Sequence, residues 1–181
     1  MGFDEQDLLR RAGSFESEAL AEVYDRFSPG LYRYAMHLLG NANLAEECLS
    51  ETFSRLLQAL KSRRGPRDHL QSYLYRIAHN WITDRYRRGS LPEVSIEVAE
   101  PSDPSPQPEK AVVMEQQRQR VRSALMQLTP DQRQVVTLRY IEEWEIEDVA
   151  AALGKPGGAV KSLQHRGLAA LKKILRTKEE A

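Results

Sequence analysis

Cysteine is almost missing from this 181-residue chain: Cys48 stands alone, so no disulfide can form within it. A reducing cytoplasm is the simple setting, and Cys48 itself reads as a small buried helix residue. The opening MGFDEQDLLRR holds no apolar run of signal-peptide length. Nor is any later stretch long enough to cross a bilayer, so no membrane insertion is expected. Net charge is also lacking, since 26 Lys and Arg balance 26 Asp and Glu. Overall electrostatics therefore selects no partner. His37, His69, His79 and His165 fall at no metal-ligand spacing, and there is no glycine-rich phosphate loop or paired nucleophile and base. An enzyme is poorly supported, and no metal, cofactor or catalytic residue is expected. No segment alternates with period two over a useful length, so no strands are expected and the fold class is all-α.

What the chain does have is charge in blocks. Residues 1–60 carry ten acidic against five basic side chains. Residues 61–90 reverse this, with eight basic side chains against Asp68 and Asp84. A second basic block runs from Gly154 to Lys178, with seven Lys and Arg and no acidic residue. Two such blocks in a neutral chain point to two separate phosphate-facing surfaces. Between them lies the segment from Leu91 to Lys110, with five prolines and five acidic residues against Lys110. That composition cannot pack a core and predicts an extended, acidic linker.

The stretch EIEDVAAALGKPGGAVKSLQHRGLAAL, from Glu145 to Leu171, holds two helical patterns across a tight break. Ile146, Val149, Ala150 and Leu153 line one face of the first. Gly154 suits a left-handed helix end, and Pro156 can open the next helix but not continue the last. In the second pattern Val160, Leu163, Gly167, Leu171 and Ile174 form the apolar stripe, with Lys161, Ser162, His165 and Arg166 off it. Two helices across a short turn, the second with a basic outer face, suit the major groove of duplex DNA. Just ahead, Thr129-Pro130-Asp131-Gln132 reads as a capping box with proline at the first helical position. The helix it starts buries Val135, Val136, Leu138 and Tyr140 or Ile141.

The N-terminal half reads as a bundle. A first helix is predicted over Asp7 to Ala12 and a second over Ser14 to Phe27, with Ser14 or Ser17 as cap. Pro29 and Gly30 are expected to break the chain before Leu31 to Leu39. Asn41 or Asn43 caps the helix Leu44 to Leu60. The last helix, about His69 to Arg88, reads HLQSYLYRIAHNWITDRYRR. Leu74, Ile77, Ala78, Trp81 and Ile82 make its apolar face, while Arg76, Asn80, Thr83, Asp84 and Arg87 fall opposite. Its rings beside a basic loop are what unpaired bases require, although Tyr73 and Trp81 face inward and read as core.

Three of these stretches carry a family resemblance: NLAEECLSETFSRLLQAL, SYLYRIAHNWITDRYRR, and LTPDQRQVVTLRYIEEWEIEDVAAALGKPGGAVKSLQHRGLAAL. In this order, over about residues 15–90 and 111–176, the chain resembles a bacterial RNA polymerase sigma factor of the extracytoplasmic-function group. The resemblance implies two small helical domains joined by a flexible linker: region 2 at 1–90, the linker at 91–110, and region 4, a helix-turn-helix, at 111–181. Such a factor binds core RNA polymerase, region 2 to the β′ clamp helices and region 4 to the β flap. It directs the enzyme to promoter DNA, reading the −35 element as duplex while melting and reading the −10 element. An anti-sigma factor is a further partner that the resemblance allows.

Carried over by residue, the resemblance assigns −10 contacts to Arg63, Arg64, Arg67, Asp68, His69, Asn80, Trp81 and Asp84. The amide of Asn80 both donates and accepts, as reading a base edge requires. It assigns −35 contacts to Arg139, Pro156, Gly158, Ala159, Lys161, Ser162, His165 and Arg166. Gly158 and Ala159 leave room for close backbone approach near a helix start, where the dipole favours phosphate. Polymerase contacts fall on Glu46, Glu47, Leu49, Thr52 and Phe53. The chain departs from the family in two places. VKSLQHRG stands where VKSRLHRA is common, so Leu163 and Gln164 replace an Arg-Leu pair and one phosphate or base contact is lost. ECLSETF places Cys48 where an acidic residue is commoner. The competing reading is a conventional helix-turn-helix regulator, which explains the C-terminal half but not the aromatic, basic helix before the linker.

Overall fold

The computed structural model describes residues 4–89 and 108–177, and every element among them is a helix. The N-terminal group comprises α1 (Glu5–Gly13), α2 (Ser17–Leu39), α3 (Ala42–Lys61) and α4 (Leu70–Arg87). The C-terminal group comprises α5 (Pro108–Leu125), α6 (Pro130–Tyr140), α7 (Ile146–Leu153) and α8 (Gly157–Thr177). The acidic segment expected as a linker lies outside the described residues as far as 107. Its last three positions are instead the first turn of α5. Proline is well suited to that place, because its missing N–H has no helical acceptor there.

Local signals set most of the helix ends. The Asp4 carboxylate accepts from the N–H of Gln6 and Asp7, at 3.1 Å each, and so starts α1 earlier than expected. Ser14 does not cap the second helix; its hydroxyl turns back to the Arg10 carbonyl, and Ser17 is already the first residue of α2. Gly40, at φ 65°, ends α2, and the Asn41 side chain accepts from Leu44 N–H at 3.0 Å to open α3. Thr129 and Gln132 form the reciprocal capping box of α6. Gly154, at φ 62°, ends α7 in the left-handed conformation.

The predicted break at Pro29 does not occur. α2 runs unbroken from Ser17 to Leu39, with Pro29 on its exposed side. Burial of Val23 and Phe27 before the proline, and of Leu31, Tyr34, Ala35 and Leu38 after it, outweighs one lost backbone bond. Gly30 serves a different purpose. A Cβ there would lie 2.7 Å from the Tyr75 hydroxyl, so glycine is what lets α4 approach α2.

α2 packs along α3 and α4, α6 along α8, and the two groups meet where α4 lies on α7 and α2 on α5. Their apolar side chains form one continuous core. Tyr75 sits at the junction, its ring centroid 5.1 Å from Tyr34 and 4.6 Å from Trp144 of the C-terminal group. The Arg76 guanidinium donates to the carbonyls of Ala151 and Ala152, 2.8 Å each, and so caps the C-terminus of α7 from the other half of the molecule. Arg133 is buried, satisfying the carbonyls of Leu125, Met126 and Leu128 at the end of α5. Its guanidinium also stands 5.4 Å over the Tyr86 ring. The rings of α4 are thus mostly structural: Tyr75 is buried, and the half-buried Tyr86 donates its hydroxyl to the Leu38 carbonyl at 2.7 Å. Tyr140, one of two candidates for burial at the end of α6, is exposed, whereas its neighbour Ile141 is half-buried.

His79 is buried between Tyr34, whose hydroxyl lies 2.8 Å from Nδ1, and Thr83, 3.4 Å from Nε2. Burial, reinforced by Arg133, holds its pKa down at about 4. The fold therefore keeps His79 neutral while the unfolded chain takes up a proton below about 6.5. Stability is full above that pH and falls as pH drops towards 4, by up to about 3 kcal/mol. Urea midpoints measured from pH 7 to 4 should decline less steeply in a His79→Gln variant than in the parent. Equal slopes would exclude His79 as a source of the acid sensitivity.

Candidate nucleic-acid interface

The turn between α7 and α8 is built by Gly154 and Pro156. Lys155, between them, is tied to Asp131 of α6 at 3.1 Å. Pro156 carries the carbonyl that accepts from Ala159 and Val160 N–H, so the proline starts α8 as its position predicts. Val160 and Gly167 are buried, and Leu163, Leu168, Leu171 and Ile174 pack partly against the core. Gly167 lets α8 lie close against α6, because a Cβ there would stand 2.9 Å from Val136 Cγ2. With this stripe inward, Lys161, Ser162, His165 and Arg166 are all exposed, as are Pro156, Gly158 and Ala159 around the helix start. The first turn of α8 holds no acidic residue, so its N–H groups meet an anion without competition. Ser162 returns its hydroxyl to the Gly158 carbonyl at 3.1 Å, and Arg166 Nε lies 3.3 Å from the Ser162 carbonyl. The arrangement presents a rigid cationic helix face of a size that fits a major groove.

Arg139 is placed differently from these residues. It is half-buried, donates to the Trp144 carbonyl and stands 3.9 Å from the Glu145 carboxylate. Its guanidinium is therefore already engaged in bracing the loop before α7. Beside it, Tyr140 is exposed and its hydroxyl accepts from Gln164 of α8 at 2.8 Å, a pair that spacing alone did not reveal.

The second basic surface lies in the N-terminal group. Arg63, Arg64, Arg67, Asp68 and His69 are all exposed in the loop between α3 and α4. Both Arg63 and His69 have positive φ, 56° and 50°, so the loop is sharply folded rather than extended. Glu5 of α1 accepts from Leu70 N–H at 2.7 Å and fixes the point where the loop enters α4. Along α4, Asn80 and Asp84 are exposed, with Asp84 3.8 Å from Arg87. Trp81 is half-buried, with the Arg85 guanidinium 4.8 Å over its ring. Arg85 in turn forms a two-pronged bond to Glu47 of α3, at 2.7 and 2.9 Å. Trp81 is thus joined to α3 through one fixed arginine.

On α3, Glu46 is exposed, Glu47 is held by Arg85, and Leu49 and Phe53 are half-buried. Thr52 is fully buried, its hydroxyl bonded to the Cys48 carbonyl at 2.7 Å. It supports this face from beneath and offers nothing to a partner. Phe53 packs at a tilt against Tyr24 of α2, centroids 4.8 Å apart, and Leu57 is exposed one turn on. Tyr24 and Leu57 therefore extend the apolar part of the face; their helical spacing from Leu20 and Phe53 was the available signal. The Cys48 thiol is buried and its pKa is raised to about 12, chiefly by desolvation, so it is inert. Among the described residues no group of three or more His, Cys, Asp or Glu stands close enough to hold a metal, and no helix is long and apolar enough to cross a membrane.

Comparison with known proteins bears on both surfaces. The family model for sigma-70 region 2 matches residues 23–91, and that for sigma-70 region 4 matches residues 124–173. The chain is 30% identical over 179 residues to the ECF RNA polymerase sigma factor SigW of Bacillus subtilis, covering 93% of this chain and 95% of SigW. It is 29% identical over 171 residues to the ECF RNA polymerase sigma factor BldN of Streptomyces coelicolor, covering 93% of this chain but 65% of BldN. The fold is similar to that of CnrH, solved in complex with the cytosolic domain of CnrY. The TM-score is 0.71 at 22% identity, over 96% of this chain and 97% of CnrH.

The α6–α8 contact yields a direct test of how the basic helix is seated. Gly167→Ala should cost about 1–3 kcal/mol in chemical denaturation, because Val136 and Gln132 leave a methyl no room. Unchanged stability would mean that α8 can move away from α6 freely.

Proposed function

This chain belongs to the RNA polymerase sigma factors of the extracytoplasmic-function group, transcription initiation factors that direct polymerase to promoters, and on that premise we propose how its surfaces divide the work. Residues 1–90 act as region 2 and residues 111–181 as region 4. Lys161, Ser162, His165 and Arg166 read the −35 duplex from the major groove, while Pro156, Gly158 and Ala159 admit the phosphate backbone to the helix start. Arg139 contributes by bracing the turn. Asn80 and the loop from Arg63 to His69 receive the opened −10 strand, with Trp81 and Asp84 at the margin. Unstacking a base costs a few kcal/mol, offset by pocket and stacking contacts.

Core polymerase binds the face formed by Glu46, Leu49 and Phe53 together with Tyr24 and Leu57, an apolar centre with an acidic rim that suits the β′ clamp helices. Glu47 stays with Arg85 and couples that face to the −10 side. Region 4 meets the β flap. The polymerase supplies the chemistry, and the factor itself is not an enzyme. The reading places it in the cytoplasm, where polymerase works. An anti-sigma protein would act by binding the packed arrangement of the two halves. Promoter elements one to two helical turns apart require roughly 35–70 Å between the reading surfaces, so the halves must separate on polymerase.

The observation that supports this reading most is the outer face of α8: four exposed polar or basic side chains over a buried apolar stripe, with no acid in the first turn. In reconstituted holoenzyme, Arg166→Ala should weaken promoter binding by about 1–3 kcal/mol. Asn80→Ala should leave core binding and duplex binding intact but reduce permanganate reactivity of the melted region. Parental behaviour of both variants would contradict the assignment of the two surfaces.

A further inference from the structure

Residues 108–177 hold two aromatic side chains, Tyr140 and Trp144. Trp144 is buried against Tyr75, but Tyr140 is 51% exposed at the C-terminal end of α6. Tyr140 is not loose, however: its hydroxyl oxygen accepts a hydrogen bond from Gln164 Nε2 at 2.8 Å. Because the oxygen accepts, the phenolic proton remains available to a third group. A donor on the oxygen polarises the O–H and makes it a stronger donor in turn. Gln164 is half-buried, its Oε1 is enclosed without a hydrogen-bond partner, and the bond from Nε2 to Tyr140 is what orients the amide.

The position of the pair is informative. Gln164 lies three residues after Lys161 and one before His165, on the flank of the exposed face of α8. The next residue back, Leu163, occupies the place of an arginine and is half-buried, so it offers no contact to DNA. The helix therefore has one cation fewer than the common family pattern, and a neutral O–H donor stands at its edge. An uncharged donor at the rim of a reading helix suits a backbone phosphate rather than a base, since Tyr commonly serves in phosphate contacts that fix register. We propose that Tyr140, held in place by Gln164, donates to a phosphate of the −35 duplex and is a positioning residue for the recognition helix. This rests on the region 4 reading above.

Phosphate-ethylation interference and equilibrium binding, using full-length protein in holoenzyme on promoter DNA, test it. The variants are Tyr140→Phe, Gln164→Leu and their combination, with Arg166→Ala as the reference. Tyr140→Phe keeps the ring and should melt at the parental temperature, yet bind about tenfold more weakly, as loss of a hydrogen bond to a charged acceptor predicts. One phosphate whose ethylation blocks the parent should cease to interfere. Gln164→Leu should lose binding in the same sense, and the double variant should be no weaker than the worse single one. If Tyr140→Phe binds and footprints like the parent while Arg166→Ala is impaired, the phosphate contact is refuted and the recognition helix stands. A defect in Gln164→Leu with none in Tyr140→Phe refutes it equally, since Gln164 would then act through packing alone. Should Arg166→Ala also behave as the parent, the recognition-helix reading falls and this inference with it.

Discussion

The arrangement depends on one clamped ring. Tyr75 reaches across α2 only because Gly30 has no side chain, rests on Tyr34, and receives Trp144 on its far side. Aromatic pairs of this kind contribute about 0.5–1.5 kcal/mol beyond their buried area. Arg76, one residue further along α4, closes the same contact by capping α7. A helix end that lacks its own side-chain cap is thus completed by the other half of the molecule. The two halves are folded together rather than merely adjacent.

The contact also has a polar margin that works against it. Glu142 is nearly enclosed, its Oε1 finds no hydrogen-bond donor, and burial raises its pKa. Arg33 offsets only part of that burial, and His37, 4.0 Å away, is itself held towards the neutral form by desolvation and by Arg122, Arg118 and Arg33. A carboxylate whose burial is only partly offset by opposite charge opposes the packing that encloses it. The apolar rings draw the halves together and this carboxylate limits how tightly they hold. Inter-domain contacts of that kind are the ones expected to yield to a competing partner.

Much of this was legible from local sequence. The Asn41 cap, the Thr129–Gln132 box and the left-handed Gly154 follow from short-range chemistry that tertiary packing does not override. The apolar stripe of α8 follows from its period, and with it the exposed set Lys161, Ser162, His165 and Arg166. Pro29-Gly30 misled because both residues are defined by partners far along the chain: Pro29 by the burial of flanking turns, Gly30 by Tyr75. Arg76 looked like part of a solvated face, since nothing in α4 shows that the carbonyls of α7 lie opposite it. Thr52 has a polar side chain but stands four residues from both Cys48 and Leu56, so its burial on the inner face of α3 follows from helical period. Tyr140 and Gln164, 24 positions apart, could be joined only once α6 and α8 were packed.

Two surfaces on one chain distinguish this molecule from a conventional helix-turn-helix regulator. A regulator reads duplex DNA by itself, usually as a dimer on a palindrome. Here the helix-turn-helix packs against a second group of helices that holds an exposed asparagine and a cationic loop. The most direct measurement is selection of DNA from a random library by the purified chain, with and without core RNA polymerase. The account predicts no enriched motif for the chain alone, and two asymmetric motifs at a fixed separation for the holoenzyme. A single palindromic motif enriched without polymerase would contradict it.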